Sequence, residues 1–195
     1  MAVSRIEVWD SIHAQHDDER EWYLDATACA DFCMELLAAT ATKRVWHFGC
    51  GTSILGVLLA ERGCDVANTD ASKPAVERMR WRPGTWLVDD AREAADRGPF
   101  DLVVDKGTFD SITADSATRA DAARRVVEAV HAALAPGGAW ACFSTFAPEE
   151  KGTRRLLEQS APWARVDCEP FGPAPFELPD QASSFVYVCR RHSAT

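Results

Sequence analysis

The sequence predicts an α/β protein built as one doubly wound, mainly parallel sheet with helices on both faces. Short apolar runs alternate with segments of helical spacing along most of the chain, which is typical of right-handed βαβ units. The last two strand-like runs are joined without a helix, and this predicts an antiparallel strand near the C-terminus. The 195 residues fit a single domain with one full core.

Seven segments have the composition of buried strands, because each is a short apolar run bounded by turn residues. They are residues 45–48, 64–69, 86–90, 100–105, 139–144, 164–168 and 185–189. Together they predict a seven-stranded sheet, with a proline-rich loop at 170–180 before the last strand.

Helical spacing of apolar residues predicts helices at 26–39, 53–62, 72–81, 117–134 and 148–159. Gly63 ends the second of these. Ser72 as a cap and Pro74 in the first turn favour the start of the third. The run Pro136-Gly137-Gly138 stops the fourth.

Composition and charge exclude several classes of protein. The chain is 47% apolar and 26% charged, as in globular proteins, and no apolar run approaches the ~20 residues that span a bilayer. The N-terminus lacks the apolar segment of a secretory signal. The seven cysteines form no Cys-x-x-Cys pair, so we expect reduced thiols, no metal site and a cytoplasmic location. The formal charge of −9 disfavours a nucleic-acid partner and favours a basic protein substrate.

The glycine-rich turn at residues 49–51 is the strongest functional signal. A strand that turns at once into a helix needs glycine where φ is positive or where a ligand lies close, and the helix N-terminus offers free N–H groups. Asp70 lies 21 residues after Gly49, about the spacing at which an acid binds the hydroxyls of an adenosine ribose. Ile54 replaces the third glycine of the dinucleotide fingerprint, which disfavours NAD and FAD.

Small or acidic residues follow four successive strands, at 49–52, 70–71, 89–91 and 105–110. A single acid at a strand end is most often a helix cap or part of a solvated turn. Four such ends in a parallel sheet share one cleft, so the set predicts a ligand site there.

These motifs resemble the class I S-adenosylmethionine-dependent methyltransferases, which have a Rossmann-like fold. The resemblance covers residues 44–189 and rests on Gly49-Cys50-Gly51, Asp70, Asp90-Ala91-Arg92-Glu93, Phe100-Asp101-Leu102-Val103-Val104-Asp105 and Leu134-Ala135-Pro136-Gly137-Gly138. It implies one methyltransferase domain over 1–195, in which 1–40 form an N-terminal lid and helix and 41–195 the cofactor-binding core.

A narrower resemblance is to the methyltransferase-like protein-lysine methyltransferases, a branch that includes the enzymes acting on elongation factor 1-alpha and citrate synthase. It rests on Asp105-Lys106-Gly107-Thr108-Phe109-Asp110, on Val8-Trp9-Asp10 and Glu21-Trp22-Tyr23 in the lid, and on Ser184-Phe185-Val186-Tyr187-Val188-Cys189. This resemblance implies N-methylation of a lysine side chain in a protein substrate.

The resemblance also implies how S-adenosylmethionine is bound. Gly49 would approach the methionine part, Asp70 would accept from the ribose hydroxyls, and Asp90 would accept from the adenine amine. The full implied set is Trp9, His13, Trp22, Gly49, Gly51, Asp70, Ala71, Asp90, Ala91 and Lys106. Trp9 and Trp22 are explained equally well as residues that pack the N-terminal segment against the core.

A lysine acceptor must lose its proton before it can be methylated, because its reference pKa is ~10.4. Asp105 and Asp110 are the residues we expect to orient or deprotonate it, with Tyr23 and His13 as second choices. Two alternatives remain open. One is a small-molecule methyltransferase acting on a thiol, amine or carboxylate, and the other is a catalytically silent subunit that binds S-adenosylmethionine.

Three residues depart from the family pattern. Class I enzymes usually carry an acid two residues before the first glycine, where this chain has His47. This leaves open how the cofactor's ammonium group is held. His13 stands where the branch usually has a tyrosine, and Thr52 where it usually has an asparagine.

Overall fold

The computed structural model describes residues 5–15, 19–22, 24–93, 97–172 and 184–194. The helices in these ranges are α1 Arg5–Gln15, α2 Ala26–Leu36, α3 Leu55–Glu61, α4 Lys73–Met79, α5 Thr108–Ile112, α6 Arg119–Ala133 and α7 Thr153–Ser160. The strands are β1 Arg44–Phe48, β2 Asp65–Asp70, β3 Thr85–Val88, β4 Phe100–Lys106, β5 Leu134–Ser144, β6 Arg165–Pro170 and β7 Phe185–Arg190. A 3-10 turn at Glu150–Gly152 precedes α7. In the described part of the chain, no helix has both the length and the apolar character needed to cross a membrane.

The strands form a single seven-stranded sheet in the order β3-β2-β1-β4-β5-β7-β6. Strands β1 to β5 pair in parallel, and β7 lies antiparallel between β5 and β6. The predicted fold class and the antiparallel strand are therefore confirmed. The chain builds outward from β1 to β3 and then returns to the other side of β1 with β4. The carboxyl ends of β1 and β4 thus flank the switch point at which ligands bind in such sheets.

The two faces of the sheet bury separate apolar cores. In β4, Leu102 and Val104 belong to the core that contains residues of α2 and α3, whereas Val103 belongs to the core beneath α6. This alternation follows from the two-residue period of a strand. Each fully buried aliphatic side chain contributes about 1.5–3 kcal/mol, and covering both faces holds the strand ends in a fixed relation.

The structure differs from the sequence-based elements in its helices and at the start of one strand. Helices α1 and α5 were not predicted, because both are short or rich in charged residues and show little apolar periodicity. Strand β5 begins at Leu134 instead of residue 139, because Leu134 already pairs with Phe100 of β4. The register between β4 and β5 shifts just after this pair. Much of the predicted proline-rich loop, residues 173–180, lies outside the described residues.

Candidate active site

A cleft opens at the carboxyl ends of β1 to β4, beneath α1. Its empty volume, including the part open to solvent, is about 990 Å³, at the upper end of the range for small-molecule sites. All ten residues that the sequence resemblance implied for cofactor binding line it. They are Trp9, His13, Trp22, Gly49, Gly51, Asp70, Ala71, Asp90, Ala91 and Lys106.

The glycine turn after β1 brings the backbone against α5. Gly49 has φ +55°, and a Cβ atom built there would lie 2.1 Å from the Oγ1 of Thr108. Thr108 donates from that oxygen to the Gly49 carbonyl at 3.0 Å. Gly51 also has a positive φ of +50°, and its missing Cβ leaves room for the His13 ring. Both glycines are therefore required by the backbone and by the close approach of neighbouring elements.

Asp70 is held at the end of β2 by two backbone N–H groups. Its Oδ2 accepts from Gly51 and its Oδ1 from Ser72, both at 2.7 Å. Burial raises the pKa of this carboxyl, while these hydrogen bonds oppose the rise. Each oxygen keeps a further lone pair, so the carboxylate can accept from two adjacent hydroxyls. Two acceptor oxygens placed side by side in this way fit the two hydroxyls of an adenosine ribose.

Asp90 and Arg92 form the end of the cleft beyond β3. The guanidinium Nε of Arg92 donates to both Asp90 oxygens, at 2.9 and 3.1 Å. Burial raises the pKa of Asp90, but the hydrogen bonds from Arg92 outweigh it and the pKa is lowered overall. Ala91 beside them is buried. A charged carboxylate next to an apolar wall fits an adenine ring and its exocyclic amine.

Helix α1 lies over the cleft and packs against α4. Trp9 stacks on His13 with ring centroids 5.9 Å apart and meets the edge of Trp22 at 5.7 Å. The indole N–H of Trp9 donates to the Ser111 hydroxyl at 3.2 Å, and the Arg5 guanidinium donates to the Ser111 carbonyl. The two tryptophans therefore fasten the N-terminal segment and also line the cleft, so the two interpretations of them are compatible.

Glu21, which the sequence analysis did not single out as a site residue, fastens the same segment to the cleft floor. Its Oε1 accepts from the Ile54 N–H at 2.8 Å, and its Oε2 lies 3.0 Å from the Lys106 Nζ. Lys106 also donates to the Trp22 carbonyl at 2.7 Å, and its side chain is only 2% exposed. Its partners Ile54 and Lys106 lie more than thirty residues away in sequence, so local features do not reveal these contacts.

Asp105 and Asp110, the predicted catalytic carboxylates, are not among the described residues that line the cleft. Asp105 is fully buried and accepts from the Phe109 N–H at 2.9 Å and the Trp140 indole at 3.0 Å. Burial raises the pKa of Asp105 to about 7. Asp110 is also buried and accepts from the Ser144 hydroxyl at 2.6 Å. Both carboxylates bind groups inside the protein, so the structure does not place them against a methyl acceptor.

The two second-choice residues have different outcomes. Tyr23 lies outside the described residues. His13 is buried and lines the cleft.

The departing residue His47 also lines the cleft. Its Nδ1 lies 3.1 Å from the Oδ1 of Asn68 on the neighbouring strand. Burial lowers the pKa of His47 to about 4, so the imidazole is neutral at pH 7.

A sheet of this strand order, a glycine turn at the switch point and an acid at the end of β2 together define the Rossmann-like class of S-adenosylmethionine-dependent methyltransferases. The sequence matches the methyltransferase domain family over residues 17–174, and the chain belongs to this family. It is therefore an S-adenosylmethionine-dependent methyltransferase. A search of curated proteins found no match.

Solved structures share the fold at low sequence identity. One, described for the conversion of a disulfide bond into a thioacetal group during echinomycin biosynthesis, is 18% identical with a TM-score of 0.69, covering 97% of this chain and 94% of its own. A TehB-like methyltransferase from Corynebacterium glutamicum is 17% identical with a TM-score of 0.62, covering 96% and 95%. The N-methyltransferase NodS from Bradyrhizobium japonicum, in complex with S-adenosylhomocysteine, is 16% identical with a TM-score of 0.64, covering 85% and 86%.

Proposed function

We propose that this methyltransferase acts on a small-molecule nucleophile that enters the cleft beneath α1. The observation that carries the proposal is the distribution of charge along the cleft. Its carboxylates, Asp70, Asp89 and Asp90, all follow β2 and β3. The other charged side chains and the histidines among the described residues that line the cleft are Arg5, Arg92, Lys106, His13 and His47. Toward β1 and β4 a protonated lysine would meet the cations Arg5 and Lys106, and the carboxylate of Glu21 is already paired with Lys106.

Bound S-adenosylmethionine supplies a methyl group on a positively charged sulfur. The residues of this chain contribute positioning and exclusion of water, which account for most of the catalysis of a direct displacement. Trp9 and Trp22 cover the cleft with apolar surface, and the Gly49 turn and Asp70 hold the methyl donor. We assign residues 1–40 to this lid and 41–195 to the cofactor-binding core.

His13 is the residue we assign to hold or accept the acceptor's proton. It lines the cleft at the lid, and an imidazole is the side chain best suited to proton transfer near neutral pH. We expect His13→Gln to lower kcat by about 10²–10⁴-fold for an acceptor that must lose a proton.

Methylation of a protein lysine is the second candidate. The resemblance of residues 105–110 to the lysine methyltransferase signature and the formal charge of −9 favour it. The structural contacts of Asp105 and Asp110 weaken it, since both carboxylates are used inside the protein. Similar folds serve small acceptors elsewhere, such as that of the 1,6-didemethyltoxoflavin-N1-methyltransferase from Burkholderia thailandensis.

Incubating the protein with methyl-labelled S-adenosylmethionine and a size-fractionated cell extract tests the choice. We expect label in the small-molecule fraction, and none above the background of an Asp70→Asn control in the protein fraction. Label recovered as methyllysine after hydrolysis of the protein fraction would overturn the proposal in favour of the second candidate.

A cytoplasmic location is part of the same proposal. All seven cysteines are unpaired, and six of them are buried. Burial raises the pKa of these thiols, for example that of Cys29 to about 12, so they remain protonated and unreactive. Free thiols in this number are typical of proteins in a reducing compartment.

A further inference from the structure

The interaction between His47 and Asn68 determines which nitrogen of the histidine carries its proton. The two residues are direct neighbours in the parallel pairing of β1 and β2. The Nδ1 of His47 lies 3.1 Å from the Oδ1 of Asn68, and an amide oxygen can only accept a hydrogen bond. With the Asn68 amide oxygen facing the ring, Nδ1 carries the hydrogen and donates it.

The remaining nitrogen of His47 is then a hydrogen-bond acceptor. The side chain is 1% exposed, and burial and the nearby positive charge of Lys106 both oppose a second proton. A neutral imidazole has one N–H group, and here Asn68 uses it. The Nε2 atom thus keeps its lone pair, which is available to a ligand in the cleft that His47 lines.

The position of His47 along the cleft indicates what it can accept from. Asp70 after β2 and Asp90 after β3 fit the adenosine part of the methyl donor, so its methionine part falls at the ends of β1 and β4. The methionine amino group is an ammonium with three donors, which need acceptors. The nearby Glu21 already accepts from Ile54, Ser53 and Lys106.

We propose that the Nε2 atom of His47 accepts a hydrogen bond from the amino group of the methionine part of S-adenosylmethionine, and that Asn68 is the positioning residue that fixes the required tautomer. This chain thereby has a neutral base at the position where the family resemblance implies an acid. The proposal rests on the identity of the methyl donor and is independent of the acceptor.

Calorimetric binding of two ligands tests the contact without any turnover. S-adenosylhomocysteine carries the amino-acid part, whereas methylthioadenosine lacks it. We expect His47→Leu to weaken S-adenosylhomocysteine binding by about 10- to 100-fold, the range for a hydrogen bond to a charged group, and to leave methylthioadenosine binding within about twofold. His47→Gln, which keeps an acceptor, should recover part of the loss. An equal loss for both ligands, or no loss for either, would overturn the proposal.

The tautomer is tested on the unmodified protein, so the outcome does not depend on the folding of a variant. Nitrogen-15 NMR of the histidine rings should show a protonated Nδ1 and a bare Nε2 for His47 at pH 7. A protonated Nε2 would refute the assignment. Asn68→Leu removes the acceptor for Nδ1, and we expect it to weaken S-adenosylhomocysteine binding selectively in the same sense.

Discussion

Replacing Gly49 by alanine is the sharpest test of how the cleft is built. The new Cβ atom would lie 2.1 Å from the Oγ1 and 2.3 Å from the Cγ2 of Thr108. No side chain tolerates such distances, so the first turn of α5 must move away from the β1 turn. The movement would break the hydrogen bond from Thr108 to the Gly49 carbonyl.

Three costs add to the expected magnitude. Alanine in the left-handed region costs about 1–2 kcal/mol. Overpacking against a fixed neighbour costs about 1–3 kcal/mol. Loss of the Thr108 hydrogen bond costs about 0.5–1.5 kcal/mol. We therefore expect Gly49→Ala to lower the free energy of unfolding by about 3 to 6 kcal/mol and to abolish binding of S-adenosylhomocysteine.

Urea unfolding followed by tryptophan fluorescence measures the first effect, and calorimetry measures the second. Gly152→Ala is the matched control, because Gly152 has φ +68° and nothing within 4 Å of its Cβ position. This control should show only the backbone cost of about 1–2 kcal/mol. The double variant Gly49→Ala/Thr108→Gly should lose less stability than the summed losses of the two single variants. If Gly49→Ala costs no more than Gly152→Ala, the steric reasoning is wrong.

Three further predictions concern charged groups. Asp70→Asn should weaken S-adenosylhomocysteine binding by at least about tenfold, because an amide cannot accept from two hydroxyls and two N–H groups together. Calorimetry measures this affinity, and an unchanged value would contradict the prediction. Glu21→Gln should lower the free energy of unfolding, measured in urea, by about 3–5 kcal/mol, since Lys106 is left buried without its carboxylate. Adding Lys106→Met should recover part of that loss, and no recovery would contradict the pairing of Glu21 with Lys106. The pKa of Asp105 is about 7 instead of 3.8, so its contribution to stability is present below pH 4 and is lost as pH rises toward 7. The stability of the wild type relative to Asp105→Asn should therefore fall by up to about 4 kcal/mol between pH 4 and pH 7, and a flat difference would refute the raised pKa.

Much of the fold and most of the cofactor cleft could be predicted from local sequence features. Apolar runs mark strands wherever both faces of a sheet are covered, and the residue after a parallel strand lies at its carboxyl end whatever the rest of the fold does. Asp70 and Asp90 could be located for this reason. Contacts such as those of Glu21 and Ser111 could not, because they join segments that are distant in sequence.

The roles of Asp105 and Asp110 show where local reasoning ends. Asp105 follows Val104 and precedes Lys106 on the same strand, so consecutive side chains point to opposite faces of the sheet. Asp105 shares its face with Val103 and bonds to Trp140 in the core beneath α6, whereas Lys106 lines the cleft. The residue type at a strand end indicates possible chemistry, but not the direction of the side chain.

The sequence by itself determined the seven-stranded sheet, the glycine turn and the acids at the ends of β2 and β3, because these depend on local spacing and on the end of each strand. Only the tertiary structure decided which carboxylates line the cleft and which partner the buried His47 has. It also decided how the N-terminal segment is fastened over the site. Each of these depends on burial and on partners that only the folded chain brings within hydrogen-bonding distance.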